Sequence, residues 1–291
     1  MACIRPDRDW QADKTLAEST GYLFNNPLMA DVFFLVGEEQ LRIPAHKVIL
    51  ASRSSVLYAM LHGVMAAAEG DIKVPDVSLV GFLNTLEFLY TDKASLKEDT
   101  VLDTLYGAKK YLVTALELQC HEYIKTILKP CNVCCVLLEE GRLIEDEEVI
   151  KMCWDIIDEG TEEVFQSKSF LEVSPALLLS LLERDTLDCD EVVVFKAASA
   201  WASAECARKG EEASPRDLRE ALGPALFKIR FPTMDQDEFA EHVAKSEVLE
   251  AIEVMDIFIN YCSIQNKPLL MFPVKPRASQ IYTPYNDVQM F

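Results

Sequence analysis

Glycine and histidine are scarce in this chain, and their scarcity excludes several kinds of enzyme. Only 10 glycines occur among 291 residues, and neither common type of Gly-rich phosphate-binding loop is present. The four histidines form no HExxH motif and no pair at helical ligand spacing, and there is no serine nucleophile elbow. The sequence therefore contains no catalytic motif, and we predict a non-enzymatic protein without a cofactor or a bound metal.

Basic residues are also few, which limits the partners of the chain. There are 28 Lys and Arg against 48 Asp and Glu, so the net charge is −20 and the pI is about 4.6. Binding to a phosphate backbone needs a basic face, so we expect no nucleic-acid partner. No apolar run approaches the length of a membrane span, and the N-terminal "MACIRPDRDWQADK" lacks an apolar signal core. We therefore expect no membrane partner and a cytoplasmic location, with the nucleus as the alternative.

The nine cysteines are odd in number and irregular in spacing, which is typical of reduced thiols. One cluster, "CNVCC", contains Cys131, Cys134 and Cys135, with Cys120 and His121 upstream. Zinc sites usually use two CxxC pairs, and only one is present here. The three clustered cysteines also share one face of a predicted helix, where cysteine packs as a small hydrophobe. Core packing is the prediction, and a zinc site is the alternative.

Strand patterns occur only in the first part of the chain. "DVFFLV", "LRIPA" and "DIKVPDV" are short β-type segments, and the first two are separated by the turn "GEEQ". From about residue 131 to 265 the pattern is one helix after another, with Asp, Ser or Thr at the helix starts. We expect four regions: an N-terminal extension with a helix (1–25), an α+β domain (26–129), an all-helical domain (130–266) and a Pro-rich linker or tail (267–291).

The N-terminal extension contains a short amphipathic helix, predicted over residues 14–24. Its apolar side chains include Leu16, Tyr22, Leu23 and Phe24. Too little chain surrounds this helix to cover such a face, so we expect it to pack on the following domain or on another copy of the chain.

The stretch "LRIPAHKVILASRSSVLYAML" places His46 and Lys47 at the entrance of an apolar helix. A lone imidazole at such a position is more often a buried, hydrogen-bonded structural group than a catalyst. The nearby serines are explained as caps and turn formers. We predict two helices with a break near Ser52 to Ser55, and Ser54 or Ser55 as the cap of the second.

The segment "ADVFFLVGEEQLRIPAHKVILASRSSVLYAML" resembles the core signature of the BTB/POZ fold. That signature is an Asp, a strand, a turn, a strand, His-Lys, Ala-Ser-Arg-Ser and an apolar helix. Asp31 and His46 match the two polar fold residues of the family. "DIKVPDVSLVGFLNTLEFLYTDKASL" and "TLYGAKKYLVTALELQC" extend the resemblance, which covers about residues 26–128.

The second half resembles the BACK domain that often follows BTB. "LLSLLERDTLDCDEVVVFKAASAWASAEC" is similar to its central motif and includes Trp201, and "LFKIRFPTMDQDEFAEHV" is similar to a later turn with Arg230, Phe231 and Pro232. "NKPLLMFPVKPR" resembles the linker to a PHR domain. The resemblance therefore implies the subgroup with BTB, BACK and PHR domains, and we expect the PHR domain itself to be absent from this chain.

The resemblance implies a homodimer that recruits a ubiquitin ligase scaffold, the third cullin, and presents a substrate to it. The dimer contact would use the N-terminal helix, with Leu16, Tyr22, Leu23 and Phe24. The cullin contact would use the helix after the His-Lys helix and a nearby loop, at Leu57, Met60, Leu61, Met65, Ala67 and Tyr90. The first BACK helix, about residues 132–144, would extend that surface.

One position departs from the family pattern. Good cullin binders often carry a hydrophobic-Xaa-Glu step at the end of the contact helix, and the matching step here is Met65-Ala66-Ala67. Loss of one charge-assisted contact costs on the order of 1.5–3 kcal/mol. A dimeric scaffold or co-regulator that binds no cullin is therefore the alternative function. The BACK domain favours the adaptor, Ala67 favours the scaffold, and the substrate is not indicated.

Overall fold

The computed structural model describes residues 11–63, 70–130, 134–262 and 271–278. The chain divides into two compact units between Ile127 and Leu128, close to the predicted domain boundary after residue 129. The first unit combines a small sheet with helices, and the described part of the second is helical. This confirms the predicted order of an α+β domain followed by an all-helical one. Within the described ranges, no helix combines the length and the apolar character needed to cross a membrane.

The first unit contains a three-stranded sheet with the order β2-β1-β3. Its strands are β1 (Val32–Val36), β2 (Leu41–Ala45) and β3 (Ile72–Val74). β1 and β2 form an antiparallel hairpin, and β3 runs parallel to β1. Side chains alternate along β1, so that Val32, Phe34 and Val36 are buried, as the two-residue period of a strand requires. β2 lies at an edge of the sheet, where Pro44, which has no N–H to donate, is tolerated.

The described part of this unit also contains six helices. They are α1 (Leu16–Leu23), α2 (Lys47–Arg53), α3 (Ser55–His62), α4 (Leu79–Thr91), α5 (Val101–Lys110) and α6 (Thr114–Ile127). Of these, α1, α3 and α4 begin at a threonine or serine cap. Ser54 caps α3 by accepting a hydrogen bond from the Leu57 N–H, and Ser78 caps α4 in the same way from Gly81. The predicted break between α2 and α3 is confirmed at Ser54, whose backbone is extended.

Helices α4 and α5 approach each other through two glycines. A Cβ at Gly81 would lie 2.4 Å from the Asp103 carbonyl oxygen, and a Cβ at Gly107 would lie 2.5 Å from the Thr85 hydroxyl. Phe82, next to the first glycine, is buried against the sheet, with ring centroids 5.2 Å from Phe34. The close approach of two helix backbones therefore brings α5 onto the main core of the unit.

The described part of the second unit is a stack of helices up to Cys262, followed by residues 271–278. Its α-helices are α7 (Cys134–Leu143), α8 (Glu147–Glu159), α9 (Thr161–Gln166), α10 (Lys168–Leu171), α11 (Pro175–Glu183), α12 (Glu191–Lys209), α13 (Pro215–Leu222), α14 (Gln236–Glu238) and α15 (Ala251–Cys262). The longest, α12, carries the fully buried Trp201, whose indole N–H donates to the Val173 carbonyl at 2.9 Å. This bond connects the centre of α12 to the segment before α11.

Two parts of the second unit differ from the sequence prediction. Residues 233–244 lie where the sequence predicts one helix after another, but the structure has only the short α14 there, followed by a π-helical turn over Phe239–Val243 and a 3-10 turn over Ala244–Ser246. Phe239 is buried in this wider turn, and its ring contacts Phe258 and Tyr261 on α15. The four-residue α10 was not predicted, because it is shorter than the period on which a helix prediction depends.

The Pro-rich segment after α15 is the main correction to the predicted organisation. We expected residues 267–291 to be a linker or an extended tail. The described part, residues 271–278, instead packs on the second unit and buries Phe272 and Arg277. One aromatic and one cation in a Pro-rich stretch produce no periodic pattern, so sequence reasoning missed this contact.

Replacing Gly81 with alanine tests the contact between α4 and α5. The added methyl group meets backbone atoms, which cannot move aside as a flexible side chain would, so we expect Gly81→Ala to lower the free energy of unfolding by about 1–3 kcal/mol. Chemical denaturation monitored by circular dichroism measures this. Val80→Ala, at an exposed neighbouring position, should change it by less than about 0.5 kcal/mol, and equal effects would contradict the proposed contact.

Candidate protein-interaction surfaces

His46 and Tyr90 form a buried hydrogen-bonded pair at the centre of the first unit. The Tyr90 hydroxyl lies 2.8 Å from the His46 Nδ1 and accepts from the His46 backbone N–H at 2.9 Å. The other ring nitrogen, Nε2, lies 2.8 Å from the Leu28 carbonyl oxygen. One imidazole therefore connects α4, the start of α2 and the segment that follows α1.

The acceptor at Leu28 determines the tautomer of this histidine. A carbonyl oxygen can only accept, so the His46 Nε2 must carry a proton and donate it to Leu28. In the neutral ring, Nδ1 then accepts a hydrogen bond from the Tyr90 hydroxyl. Burial raises the pKa of Tyr90 from 10.0 to about 12, which keeps that proton in place. This network occupies both ring nitrogens in structural bonds, which fits the predicted structural role of His46.

Asp31 supplies the cap that His46 does not provide for α2. His46 is the N-cap residue by position, but its side chain makes no capping bond. The Asp31 Oδ1 instead accepts from the Lys47 backbone N–H at 2.8 Å. A carboxylate at this place satisfies an unpaired helix N–H and also interacts favourably with the positive end of the helix dipole. The two polar fold residues named from the sequence therefore meet at the same helix start.

Helix α1 packs on α4 of its own chain. The Thr20 hydroxyl donates to the Tyr90 carbonyl at 2.5 Å, Leu23 is buried, and the Phe24 ring lies 6.1 Å from the Tyr90 ring. Of the predicted dimer residues, Leu23 is thus a core residue of its own unit, and Tyr22 and Phe24 are half-buried. Leu16, at the other end of α1, is 81% exposed and remains a candidate contact.

The inward face of α3 corrects part of the predicted cullin surface. Leu57 and Leu61 lie one turn apart and are buried in the core, and Tyr90 is buried beside His46. These three side chains therefore hold the fold together and offer no surface to a partner. Met60 is half-buried and remains a candidate, and Met65 and Ala67 lie outside the described residues.

The outward face of α3 presents a residue that the sequence analysis missed. Tyr58 is 57% exposed, and its ring lies 5.6 Å from the ring of His62 one turn later. Leu112, in the turn between α5 and α6, is 61% exposed and has a left-handed backbone with φ 49°. The Ser54 hydroxyl, which caps α3, donates to the carbonyl of the preceding Tyr111 at 2.6 Å and so connects the two elements. A helical-wheel count from the buried Leu57 and Leu61 would have placed Tyr58 outside.

Helix α7 of the second unit has both buried and exposed apolar residues. The predicted surface over residues 132–144 begins outside the described chain. Within α7, Leu137 and Leu138 are buried, whereas Val136 and Leu143 are exposed. In the described part of this predicted surface, Val136 and Leu143 are therefore exposed apolar side chains that a partner can reach.

Of the cysteines that raised the question of zinc, the two whose side chains the structure describes lie in cores. Cys120 and Cys135 are buried, whereas Cys131 and the Cys134 side chain lie outside what the structure describes. Burial raises the pKa of the Cys120 thiol to about 12, which disfavours the thiolate that zinc requires. Cys135 is the one member of the predicted cluster whose side chain is described, and it is buried as core packing requires; Cys120 is likewise a small buried hydrophobe.

Family models match both units of this architecture. Residues 21–128 match the BTB/POZ domain, and residues 134–244 match BACK, described as BTB And C-terminal Kelch. The chain is therefore a protein with a BTB/POZ domain followed by a BACK domain, and the two units are named the BTB unit and the BACK unit below. No PHR domain is evident among these matches.

Curated proteins similar to this chain come from several vertebrates. BTB/POZ domain-containing protein 6 of Mus musculus is 43% identical over 272 residues, covering 92% of this chain and 50% of the relative. BTB/POZ domain-containing protein 6-B of Danio rerio is 44% identical over 271 residues, covering 92% of this chain and 56% of the relative. BTB/POZ domain-containing protein 3 of Homo sapiens is 42% identical over 279 residues, covering 95% of this chain and 53% of the relative. The chain spans about half the length of these curated relatives.

Proteins that combine BTB and BACK domains typically act as protein-interaction adaptors. BTB domains in general mediate dimerisation and binding to the third cullin. The exposed apolar residues of α1, α3 and α7 are consequently candidate contact surfaces for other proteins.

Replacing Tyr90 with phenylalanine tests the network around His46. The substitution leaves the buried His46 N–H and Nδ1 without the hydroxyl that satisfies both, so we expect the free energy of unfolding to fall by about 2–4 kcal/mol. Urea denaturation at neutral pH measures the change. Tyr58→Phe removes a hydroxyl from an exposed ring and serves as the control, and equal losses for the two variants would contradict the network.

The raised pKa of Tyr90 predicts a specific loss of stability in alkali. Between pH 10 and 12 the folded chain retains the Tyr90 proton, whereas the unfolded chain releases it. The free energy of unfolding therefore falls as pH rises, and Tyr90 contributes up to about 1.4 kcal/mol of this fall per pH unit. The Tyr90→Phe variant lacks this contribution. The difference in free energy of unfolding between the unmodified chain and the variant should therefore become smaller between pH 10 and 12. A constant difference would contradict the predicted shift.

Proposed function

We propose that this protein is a non-enzymatic adaptor whose BTB unit dimerises and recruits the third cullin, so that a bound substrate is ubiquitinated. The outward face of α3, with Tyr58 beside the turn that carries Leu112, is the observation that supports this most directly. A cytoplasmic or nuclear location is part of the proposal, since the third cullin must be accessible there. The substrate and its binding site are not assigned.

The α3 face has the composition of a helix-binding surface. Tyrosine is among the residues that contribute most to protein interfaces, because its ring supplies a large contact area at low entropic cost. Tyr58 and Leu112 provide two exposed apolar side chains, and His62 lies at the polar margin. The Ser54 bond to Tyr111 keeps the two elements in fixed register, so little order must be gained when a partner helix binds.

A second set of exposed apolar side chains supports the dimer. Three apolar side chains are well exposed: Leu16 on α1, Met29 in the segment between α1 and β1, and Val48 on α2. Met29 follows Leu28, whose carbonyl binds His46, and Val48 lies two residues after His46, so these two flank one anchored point of the backbone. A second copy of the BTB unit is the proposed cover for these side chains, because their contact with water is unfavourable.

The alternative is a dimeric scaffold or co-regulator that binds no cullin. Ala67 supports it, because the acid that often ends the cullin-contact helix is missing at this step. The two functions share the dimer and differ in the α3 face alone, so one binding experiment distinguishes them.

Titration calorimetry of the purified chain against the N-terminal domain of the third cullin tests the adaptor proposal. Light scattering beforehand establishes the dimer. We expect sub-micromolar affinity at two cullins per dimer. An intact dimer that does not bind would reject the adaptor and favour the scaffold.

Truncation of Tyr58 tests the α3 face itself. Tyr58→Ala removes an exposed ring, so the fold should persist, and we expect the cullin affinity to fall at least about tenfold. Ile252→Ala removes a similarly exposed apolar side chain from α15 of the BACK unit and should leave the affinity unchanged. Equal affinities for the two variants would exclude Tyr58 from the contact.

Restoring the missing acid tests the departure from the family pattern. Ala67→Glu should tighten cullin binding by about tenfold or more, because it adds one charge-assisted contact. The same titration measures it. An unchanged dissociation constant would show that this step does not contact the cullin.

A further inference from the structure

Residues 271–278, named here the C-terminal strap, are held on the BACK unit by side chains at two positions. Only Phe272 and Arg277 are buried, whereas Met271, Val274, Lys275, Pro276 and Ala278 are exposed. Four residues separate the two anchors, and the exposed residues lie between and beside them. The arrangement is that of an extended peptide recognised through two pockets.

The first pocket surrounds the guanidinium group of Arg277. Its Nε donates to the Glu191 Oε1 at 2.6 Å, and its Nη1 donates to the carbonyls of Leu182, at 3.2 Å, and Arg184. The side chains of Arg277 and Glu191 are 0% and 1% exposed. A buried carboxylate is costly without a partner, so this pocket requires a cation. The carbonyls placed beside it suit the planar, five-donor guanidinium better than the single ammonium group of lysine.

The second pocket holds the Phe272 ring. This ring stacks on Phe227 at a centroid distance of 5.7 Å and meets Phe231 edge-on at 4.9 Å. Phe231 in turn packs against Phe195 of α12, the helix that begins with Glu191. The aromatic pocket and the guanidinium pocket are thus built on the same helix and its neighbours.

Two main-chain contacts also fix the strap, one between the two anchors and one just after Arg277. The Ala278 N–H donates to the Asp185 carbonyl at 2.8 Å, and the Arg230 Nη1 donates to the Lys275 carbonyl at 3.1 Å. Arg230 also pairs with the Asp185 carboxylate, which holds the pKa of Asp185 below its ordinary value. Bonds to the peptide backbone do not depend on its sequence, so they supply affinity while the two pockets supply specificity.

We propose that the BACK unit contains a groove that recognises an extended peptide with an aromatic residue followed five positions later by arginine, and that the chain's own strap is its occupant. The buried Glu191 carboxylate carries this inference, because burying a strap by apolar packing alone would not require a charged side chain with matched carbonyls at the bottom of the site. Covalent attachment gives the strap a high local concentration, so the groove stays closed to weaker peptides. The proposal is independent of cullin binding.

Trypsin cleavage after Arg277 measures whether the strap is seated in the intact chain. The Arg277 side chain must enter the protease, so its burial protects the bond to Ala278. Glu191→Gln removes the negative charge that holds the Arg277 guanidinium. Because glutamine is neutral, no buried anion is left unpaired when the strap detaches from the groove. We expect this variant to be cleaved at least about tenfold faster at that bond, by mass spectrometry.

Asp190→Asn is the matched control for that experiment. It neutralises the adjacent carboxylate, which is exposed and makes no capping bond, and asparagine is an equally good residue at a helix N-cap. We expect its cleavage to match that of the unmodified chain. Equal protection in the Glu191→Gln variant would overturn the guanidinium pocket as the anchor.

Binding of a labelled peptide in trans tests recognition. The probe is MFPVKPRA, the sequence of residues 271–278, followed by fluorescence anisotropy. The double variant Phe272→Ala, Arg277→Ala frees the groove and keeps Glu191, so it should bind the probe at least about tenfold more tightly than the unmodified chain. Lys275→Ala removes an exposed cation from the same strap and should behave like the unmodified chain.

The specificity of the groove is tested with a second probe. Replacing the arginine of the peptide by lysine should weaken its binding to the double variant by about tenfold or more. Equal binding of the two probes, or no binding by a double variant that circular dichroism shows to be folded, would overturn the recognition groove.

Discussion

The buried bond between the Tyr90 hydroxyl and His46 is the contact on which the BTB unit depends most. One hydroxyl satisfies a backbone N–H and a ring nitrogen, while the opposite ring nitrogen reaches the Leu28 carbonyl. Thr20 of α1 bonds to the carbonyl of the same tyrosine. The sheet, α1, α2 and α4 are therefore joined at a single polar centre inside an apolar core. The side chains proposed for the dimer contact, Leu16, Met29 and Val48, lie on elements that this centre joins.

A charged pair has the corresponding place in the BACK unit. Glu191 begins α12 and meets Arg277 from the far end of the described chain, 86 positions later. Burial of two charges is favourable only when their hydrogen-bonding groups are satisfied, and the carbonyls of Leu182 and Arg184 complete the guanidinium shell. The two units therefore use the same physical device, a buried polar centre with matched donors and acceptors, to hold segments that are distant in sequence.

Local chemistry explains why much of the fold was predictable from the sequence. Ser54 and Ser78 cap their helices as expected, because an N-cap depends only on a side chain and the next turn. The direction in which Leu57 and Tyr90 point depends on neighbours that are distant in the chain, so their placement on a binding surface was wrong. Arg277 was missed for the same reason, since nothing near it in sequence indicates an acid at residue 191. Periodicity identifies the buried face of a helix but not the partner of an isolated charge.

The edge position of β2 has a consequence for how copies of this chain avoid unwanted association. A free edge strand is a template for pairing with strands of other molecules, and Pro44 interrupts its row of donors. The missing donor opposes the addition of a further strand at this edge, and with it the growth of β-aggregates. A protein that is to meet its partners through helices is thereby protected against joining them through its sheet.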